Sequence, residues 1–407
     1  MLDLYTIFTP FALVTLGMSV FDWVLFVTFA LIFIASFLTV LYPMVFGLSK
    51  TNLSDRYNWG LNIQGFFFLS TVGYGILAVL AIQTIAPSVI FLGDILFSEF
   101  VLNVRTFGVL SINSLAGTIA FACLISAQLL MASDLGKPQR AFKIITGKNL
   151  KSPLTLDFIS LVALTILSFV FMLGIGGVSV ESVHGISMLW AYTTLFFALL
   201  CMFAHVMLFS LKVTPGFDSK SFDAISMISC GLWSGTAILT LLWKPPLYWS
   251  VSGLGPFPLA SFNGFLIITI IVFTTQIAII LNSLFVKQKP HNLILTGLSF
   301  VVLIYIVGRD FIRIDSCVGE VIFHFADIAI CLLALLAVFL DKILSVINYQ
   351  KDAVLPAPYS MYDKAKSYKP SLLEIGNLVA AFSLVVCITY AVVIFKLYVL
   401  PWLISLF

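Results

Sequence analysis

The sequence predicts an all-α polytopic membrane protein, and three observations carry that reading. Of the 407 residues 61% are hydrophobic and 10% charged, with a mean hydropathy of +1.13, far more apolar surface than one aqueous core buries. The apolar residues form ten continuous runs, each close to the roughly 20 residues that cross about 30 Å of hydrocarbon as a helix. Because the runs do not alternate apolar with polar positions, a transmembrane β-barrel is excluded. The cations collect in every second connection between runs, as the positive-inside rule requires.

In chain order the runs cover residues 21–48, 61–88, 107–132, 156–178, 186–211, 221–243, 259–286, 293–311, 319–346 and 372–398. Residues 1–20 are apolar but broken by Pro10 and Gly17, which suits an outer interfacial segment. The run at 21–48 reads as a flanking helix, 61–211 as a first four-helix bundle and 221–346 as a second. An inner loop at 347–371 holds Pro356, Pro358, four tyrosines and four lysines, and 372–407 supplies the other flanking helix. Gly231 and Gly235 form a small-x-x-x-small pair, and Gly73 with Gly75 opens one face of the second run for close packing.

Connections after the odd-numbered runs hold Lys50, Arg56, Lys137, Arg140, Lys143, Lys148, Lys151, Lys212, Lys220, Lys287, Lys289, Lys351, Lys364, Lys366 and Lys369. The other face holds Arg105, Lys244, Arg309 and Arg313, while Lys342 and Lys396 lie in helix ends. This asymmetry predicts ten spans with both termini outside. A net charge of +3 with no basic stretch interleaved with aromatics excludes a nucleic-acid partner. The six cysteines show no C-x-x-C spacing, and five sit in apolar runs where a thiol acts as a small hydrophobe, so the sequence predicts neither an iron–sulfur cluster nor a zinc site, and no metal ligands. No basic n-region or small-residue cleavage site precedes the first run, so no removable signal peptide is expected.

The densest polar segment is Asp134-Leu135-Gly136-Lys137-Pro138-Gln139-Arg140-Ala141-Phe142, followed by Asn149-Leu150-Lys151-Ser152-Pro153-Leu154 and Asp157. It resembles the D-L-G-[RK]-P-x-R-x-[FW] … N-x-x-S-P-x-x-x-[DW] signature of the polysulfide reductase membrane subunit family (NrfD/PsrC), in its longer ten-helix form. Trp59-Gly60-Leu61-Asn62-Ile63-Gln64-Gly65-Phe66-Phe67-Phe68-Leu69 is similar to the start of that family's first bundle helix. Ala116-Gly117-Thr118-Ile119 resembles the A-G-T-[LI] step of related quinol-oxidising subunits, with Leu115 standing where the family often has His. The resemblance covers roughly residues 55–345 and is strongest over the loop.

The resemblance implies a quinone- or quinol-interacting subunit of a respiratory oxidoreductase in a prokaryotic inner membrane, with proton translocation open to it. It implies a quinone, menaquinone-type or other, as the cofactor, with no haem or iron–sulfur cluster in this chain. The implied partners are an iron–sulfur electron-transfer subunit and a catalytic subunit such as a molybdopterin enzyme or multihaem cytochrome. A passive anchor without its own quinone site and a secondary transporter are the alternatives. The transporter would call for ionisable groups near the midplane, where the sequence offers Gln128, Gln276 and Asn282.

A quinone site needs a proton acceptor and a hydrogen-bond partner near the membrane edge, and ionisable groups inside spans are costly enough to be candidates. Glu320, His324 and Asp327 fall at i, i+4 and i+7 on one helix face near its outer end, suited to accepting quinol protons. The structural alternative is that His324 and Asp327 bond each other or Arg313. The turn from Arg309 to Asp315 is read as self-neutralising or as a docking surface. Asn113 and Ser114 are candidate quinone-orienting donors or helix-packing contacts; His184, with Glu181, is a loop group able to close over a head group. His205, alone in its span, reads as a packing residue, and Asp157 as helix-start chemistry after Ser152-Pro153. The Asp134 loop itself reads as an inner-face turn.

Overall fold

The computed structural model of the chain describes residues 20–46, 60–85, 112–135, 152–172, 184–210, 221–243, 260–285, 293–311, 317–351 and 369–396. They form ten helices: α1 (Val20–Phe46), α2 (Leu61–Ile85), α3 (Ile112–Asp134), α4 (Pro153–Met172), α5 (His184–Ser210), α6 (Ser221–Trp243), α7 (Ala260–Phe285), α8 (Leu293–Phe311), α9 (Cys317–Lys351) and α10 (Leu372–Ile394). Among the described residues there is no strand. Seven helices, α1 to α6 and α10, are long and apolar enough to cross a membrane. The apolar parts of α7 and α8, Phe265–Leu281 and Leu293–Arg309, are shorter. The segments 1–19 and 352–368, most of the interfacial and inner-loop regions expected above, lie outside the described residues, as does the motif loop from Gly136 to Lys151.

Helix α2 lies at the centre, buried on nearly every side; it carries the polar Asn62, Gln64, Ser70, Thr71 and Gln83 and the small Gly65, Gly73 and Gly75, which gain from helix neighbours rather than from lipid. It packs against α3, α5 and α6, and also against α9 and α10. Each of α2, α3, α4 and α5 touches the next and α5 returns to α2; α6, α7, α8 and α9 close a second ring in the same way. The rings meet through α2, which touches both α6 and α9. Helices α1 and α10 pack on each other and on α3, so the two flanking helices share one side of the first ring. Large apolar side chains such as Leu38, Ile166, Phe203 and Phe325 are left exposed on outer helices, as a surface solvated by lipid permits.

Glycines allow the closest crossing. A Cβ on Gly75 of α2 would lie 2.0 Å from the Gly231 carbonyl oxygen, and one on Gly235 would lie 2.3 Å from that of Gly75. Gly75 therefore meets the Gly231/Gly235 pair on α6, whereas Gly73, two residues earlier and so turned to another side of the helix, packs on Ala120 and Leu124 of α3; the two glycines do not share the one face expected from the sequence. Beside it Ser234 Oγ donates to the Gly231 carbonyl at 2.9 Å. Hydroxyls elsewhere turn back on their own helices, as Ser70 Oγ does to Phe66 O at 2.7 Å and Thr240 Oγ1 to Thr236 O at 2.8 Å. That satisfies them where no water is available.

The flanking helix α10 is anchored at its start. Ser371 and Glu374 form a capping box, with Ser371 N donating to Glu374 Oε2 at 2.8 Å and Glu374 N donating to Ser371 Oγ at 3.2 Å. Glu374 Oε1 also accepts from Leu61 N at 3.3 Å, placing a carboxylate on the positive N-terminus of α2. One side chain thus caps two helices. Glu374→Ala is expected to cost about 1–2 kcal/mol, read as a lower thermal midpoint of the detergent-solubilised chain, whereas Glu374→Gln keeps most of it. Equal midpoints for wild type and the alanine variant would contradict this role.

Candidate functional site

The described contacts gather polar residues at both ends of the helices. Contacts such as Glu374 with Leu61, Asp157 with His205 and Lys342 with Met227 bring the starts of α2, α4, α6 and α10 together with the finishes of α5 and α9, the end from which the cation-rich connections of the sequence leave.

At that end Asp157 enters from α4 and Cys201 and His205 from α5. His205 Nε2 lies 3.0 Å from Asp157 Oδ1, Cys201 Sγ donates to the same oxygen at 3.6 Å, and Sγ stands 4.0 Å from Nε2. All three side chains are fully buried. The rings of Phe66, Phe67 and Tyr74 on α2 meet the imidazole edge-on, with centroids 5.7, 5.0 and 5.5 Å away. Asp157 Oδ2 and His205 Nδ1 have no hydrogen-bond partner among the described residues. His205 is therefore not alone in its span, and Asp157 does more than favour a helix start. Two motif segments explain each other here: the Phe66-Phe67 stretch supports the histidine that the motif aspartate engages.

Nearby, Asn377 Nδ2 of α10 donates to Asn62 Oδ1 of α2 at 3.3 Å, and Asp134, the first motif residue, interacts with Asn62 and faces the charge of Glu374. Asn62, Glu374 and Asn377 are fully buried. The motif aspartate thus joins α3 to α2 through Asn62, which in turn accepts from Asn377 of α10. On the second ring Lys342 Nζ donates to Asp341 Oδ2 at 3.1 Å and to Met227 Sδ at 3.0 Å, and Gln276 Nε2 donates to Ser226 Oγ at 2.7 Å.

At the opposite end two groups form. Between α8 and α9, Arg309 Nη2 stands 2.9 Å from Asp327 Oδ2 and the Tyr305 hydroxyl donates to Asp327 Oδ1 at 2.8 Å. Asp327 is 1% exposed, while Arg309 keeps 20% of its side chain exposed and reaches over the Phe323 ring, 6.0 Å from its centroid. Arg309 thus belongs to the last turn of α8 and engages the carboxylate in the next helix. The second group joins α3, α4 and α10: Ser114 Oγ donates to the Met172 carbonyl at 2.9 Å, and the buried Lys396 ammonium donates to both Ser114 Oγ and the Met172 carbonyl. A cation on the last carbonyls of α4 complements that helix end. Leu115, 5% exposed, packs with Tyr390 and Val393 in a small apolar cluster beside this group.

Among the described residues, the contacts above tie these two groups to different helices. Ser114 bonds toward α4 and α10, and Asp327 toward α8. Glu320 and His324 lie on α9 upstream of Asp327, Asn113 at the start of α3 and His184 at the start of α5, but their side chains lie outside the described residues. Arg313 lies wholly outside them. Participants that were not singled out in the sequence as partners include Tyr305, Cys201 and Lys396, with Glu374, Asn377 and Asp341 beside them. For Cys201 a signal existed, since Cys201 and His205 stand at i and i+4 on one helix face. For Tyr305 and Lys396 the partner is on another helix, and helical spacing says nothing about it.

Compared with known proteins, the chain matches no family model and no curated protein.

Proposed function

We propose that the chain is the quinone- or quinol-reactive membrane subunit of a multisubunit respiratory oxidoreductase, exchanging electrons with an iron–sulfur partner that serves a separate catalytic subunit. The reading takes all ten helices as spans in two four-helix bundles, α2–α5 and α6–α9, flanked by α1 and α10. It places the cation-rich end in the cytoplasm of a prokaryotic cell, with both termini outside. The two closed rings of helix contacts support the bundles, and the motif resemblance supports the family.

The observation that carries the functional reading is Asp327, a carboxylate buried near the outer end of α9 and fixed by Arg309 and Tyr305. Its helix pair leaves Ile304 and Phe325 exposed to lipid, so a hydrophobic quinone reaches this edge from the bilayer. Quinol oxidation releases two protons and two electrons; the electrons go to the iron–sulfur partner, and Asp327 with His324 accepts the protons. Glu320 lies on the same face for onward proton release, and Arg313 and His184 are outer-face groups for the head group. Ser114 belongs to the separate group on α3, where it and Asn113, next to it in sequence, are candidate donors to a quinone carbonyl.

A passive anchor is the second reading, favoured by the apolar seal around Leu115. One experiment separates them: quinol oxidation or quinone reduction by the assembled complex carrying Asp327→Asn or His324→Ala. The proposal expects roughly 100-fold lower turnover for Asp327→Asn with assembly intact. Unchanged turnover in both variants removes these residues from the mechanism and leaves the anchor.

A further inference from the structure

We propose that Asp157, Cys201 and His205 form a mononuclear binding site for a borderline-soft divalent cation of the zinc type, closing α4 onto α5 beneath α2. The inference is independent of the quinone reading.

Geometry comes first. Metal–ligand lengths of about 2.0–2.3 Å at a tetrahedral zinc put neighbouring donor atoms about 3.3–3.6 Å apart. The three donors here stand 3.0, 3.6 and 4.0 Å from one another, so a single ion reaches all of them with shifts of a few tenths of an ångström. Cys201 and His205 occupy adjacent turns of one helix face, and Asp157 meets them from the neighbouring helix. The second carboxylate oxygen, Oδ2, has no partner among the described residues and offers a fourth donor through bidentate binding.

Charge points the same way. The described residues place no lysine or arginine against Asp157; its ion-pair partner is an imidazole, which is charged only when protonated. A dication bound by one carboxylate, one thiolate and one neutral imidazole gives a neutral centre, the form that full burial tolerates. Binding displaces the Cys201 thiol proton, which leaves to solvent, and no redox change is involved. The sulfur ligand selects zinc-type ions over magnesium or calcium, which take oxygen donors. Phe66, Phe67 and Tyr74 hold the imidazole plane, and the Tyr74 hydroxyl lies 3.0 Å from Thr71 Oγ1. Asp157 is four residues past Pro153 at the start of α4, about 6 Å along the axis, so the site lies about one turn inside the helix start.

The test uses the full chain purified without chelators. Elemental analysis is expected to find about one zinc-type ion per chain. After the ion is stripped, Co²⁺ alone is added as the probe, and thiolate-to-cobalt charge transfer with intense tetrahedral d–d bands is expected. Cys201→Ala abolishes the charge-transfer band, whereas Cys123→Ala and Cys331→Ala, which alter buried thiols elsewhere, retain it. A wild-type chain that carries no stoichiometric metal and gives no cobalt spectrum overturns the site and leaves a buried hydrogen-bonded group. So does a charge-transfer band that survives Cys201→Ala. The wild-type measurement needs no variant to fold.

Discussion

Gly235→Leu is expected to leave little monodisperse protein in detergent and to lower the thermal midpoint of what remains. A Cβ at this position meets not a flexible side chain but the Gly75 backbone, its carbonyl oxygen at 2.3 Å and carbonyl carbon at 2.4 Å. Side-chain repacking cannot relieve that contact, so α2 and α6 must separate. Ordinary overpacking costs about 1–3 kcal/mol, and here the central helix is moved away from the second ring, so the upper end of that range is the minimum. The contact between rings also depends on close approach in another sense: lipid is as apolar as leucine, and helices in it associate through packing and hydrogen bonds. Gly297→Ala is the control. Nothing lies within 4 Å of a Cβ there, and an alanine in a helix interior gains about 0.5–1 kcal/mol over glycine. A wild-type midpoint for Gly235→Leu would show that the rings do not meet as described.

The same glycines show what was legible in the sequence. A four-residue glycine spacing on α6 announces a close crossing, and the structure sets it against Gly75 of α2; Gly73 packs instead on Ala120 and Leu124 of α3, because residues two apart on a helix do not share a face. Helix limits were legible for a similar reason, since hydropathy changes sharply at loops. The runs at 221–243 and 293–311 have the limits of α6 and α8. Helix α9 runs five residues past the expected 319–346, to Lys351, because backbone hydrogen bonding continues into polar residues after the apolar stretch ends. What stayed hidden is pairing across helices. Periodicity puts Glu320, His324 and Asp327 on one face of α9, but Asp327 engages Arg309 and Tyr305 on α8, and nothing in helical spacing points to them. Asp157 and His205 were each explicable alone, one as helix-start chemistry and one as a packed imidazole. Their sequence separation carries no sign that they touch.

That contact supports the second large effect. In chelator-treated protein, where charge acts without any metal, His205→Leu is expected to destabilise the fold by about 3–5 kcal/mol, the usual result of removing one partner from a buried pair. Asp157 is fully buried, and after the substitution its described contacts reduce to the weak Cys201 thiol donor. Leucine also leaves the Phe66, Phe67 and Tyr74 rings against a side chain of different shape, a smaller packing term. The double variant Asp157→Leu with His205→Leu separates the two. Well-packed apolar residues in place of a buried pair are often neutral or stabilising, so the double variant should recover most of the loss in a denaturant titration. If it is as unstable as His205→Leu alone, the cost lies in packing around α2 and not in the stranded carboxylate. If His205→Leu is as stable as wild type, the Asp157–His205 contact does not hold α4 to α5 at all.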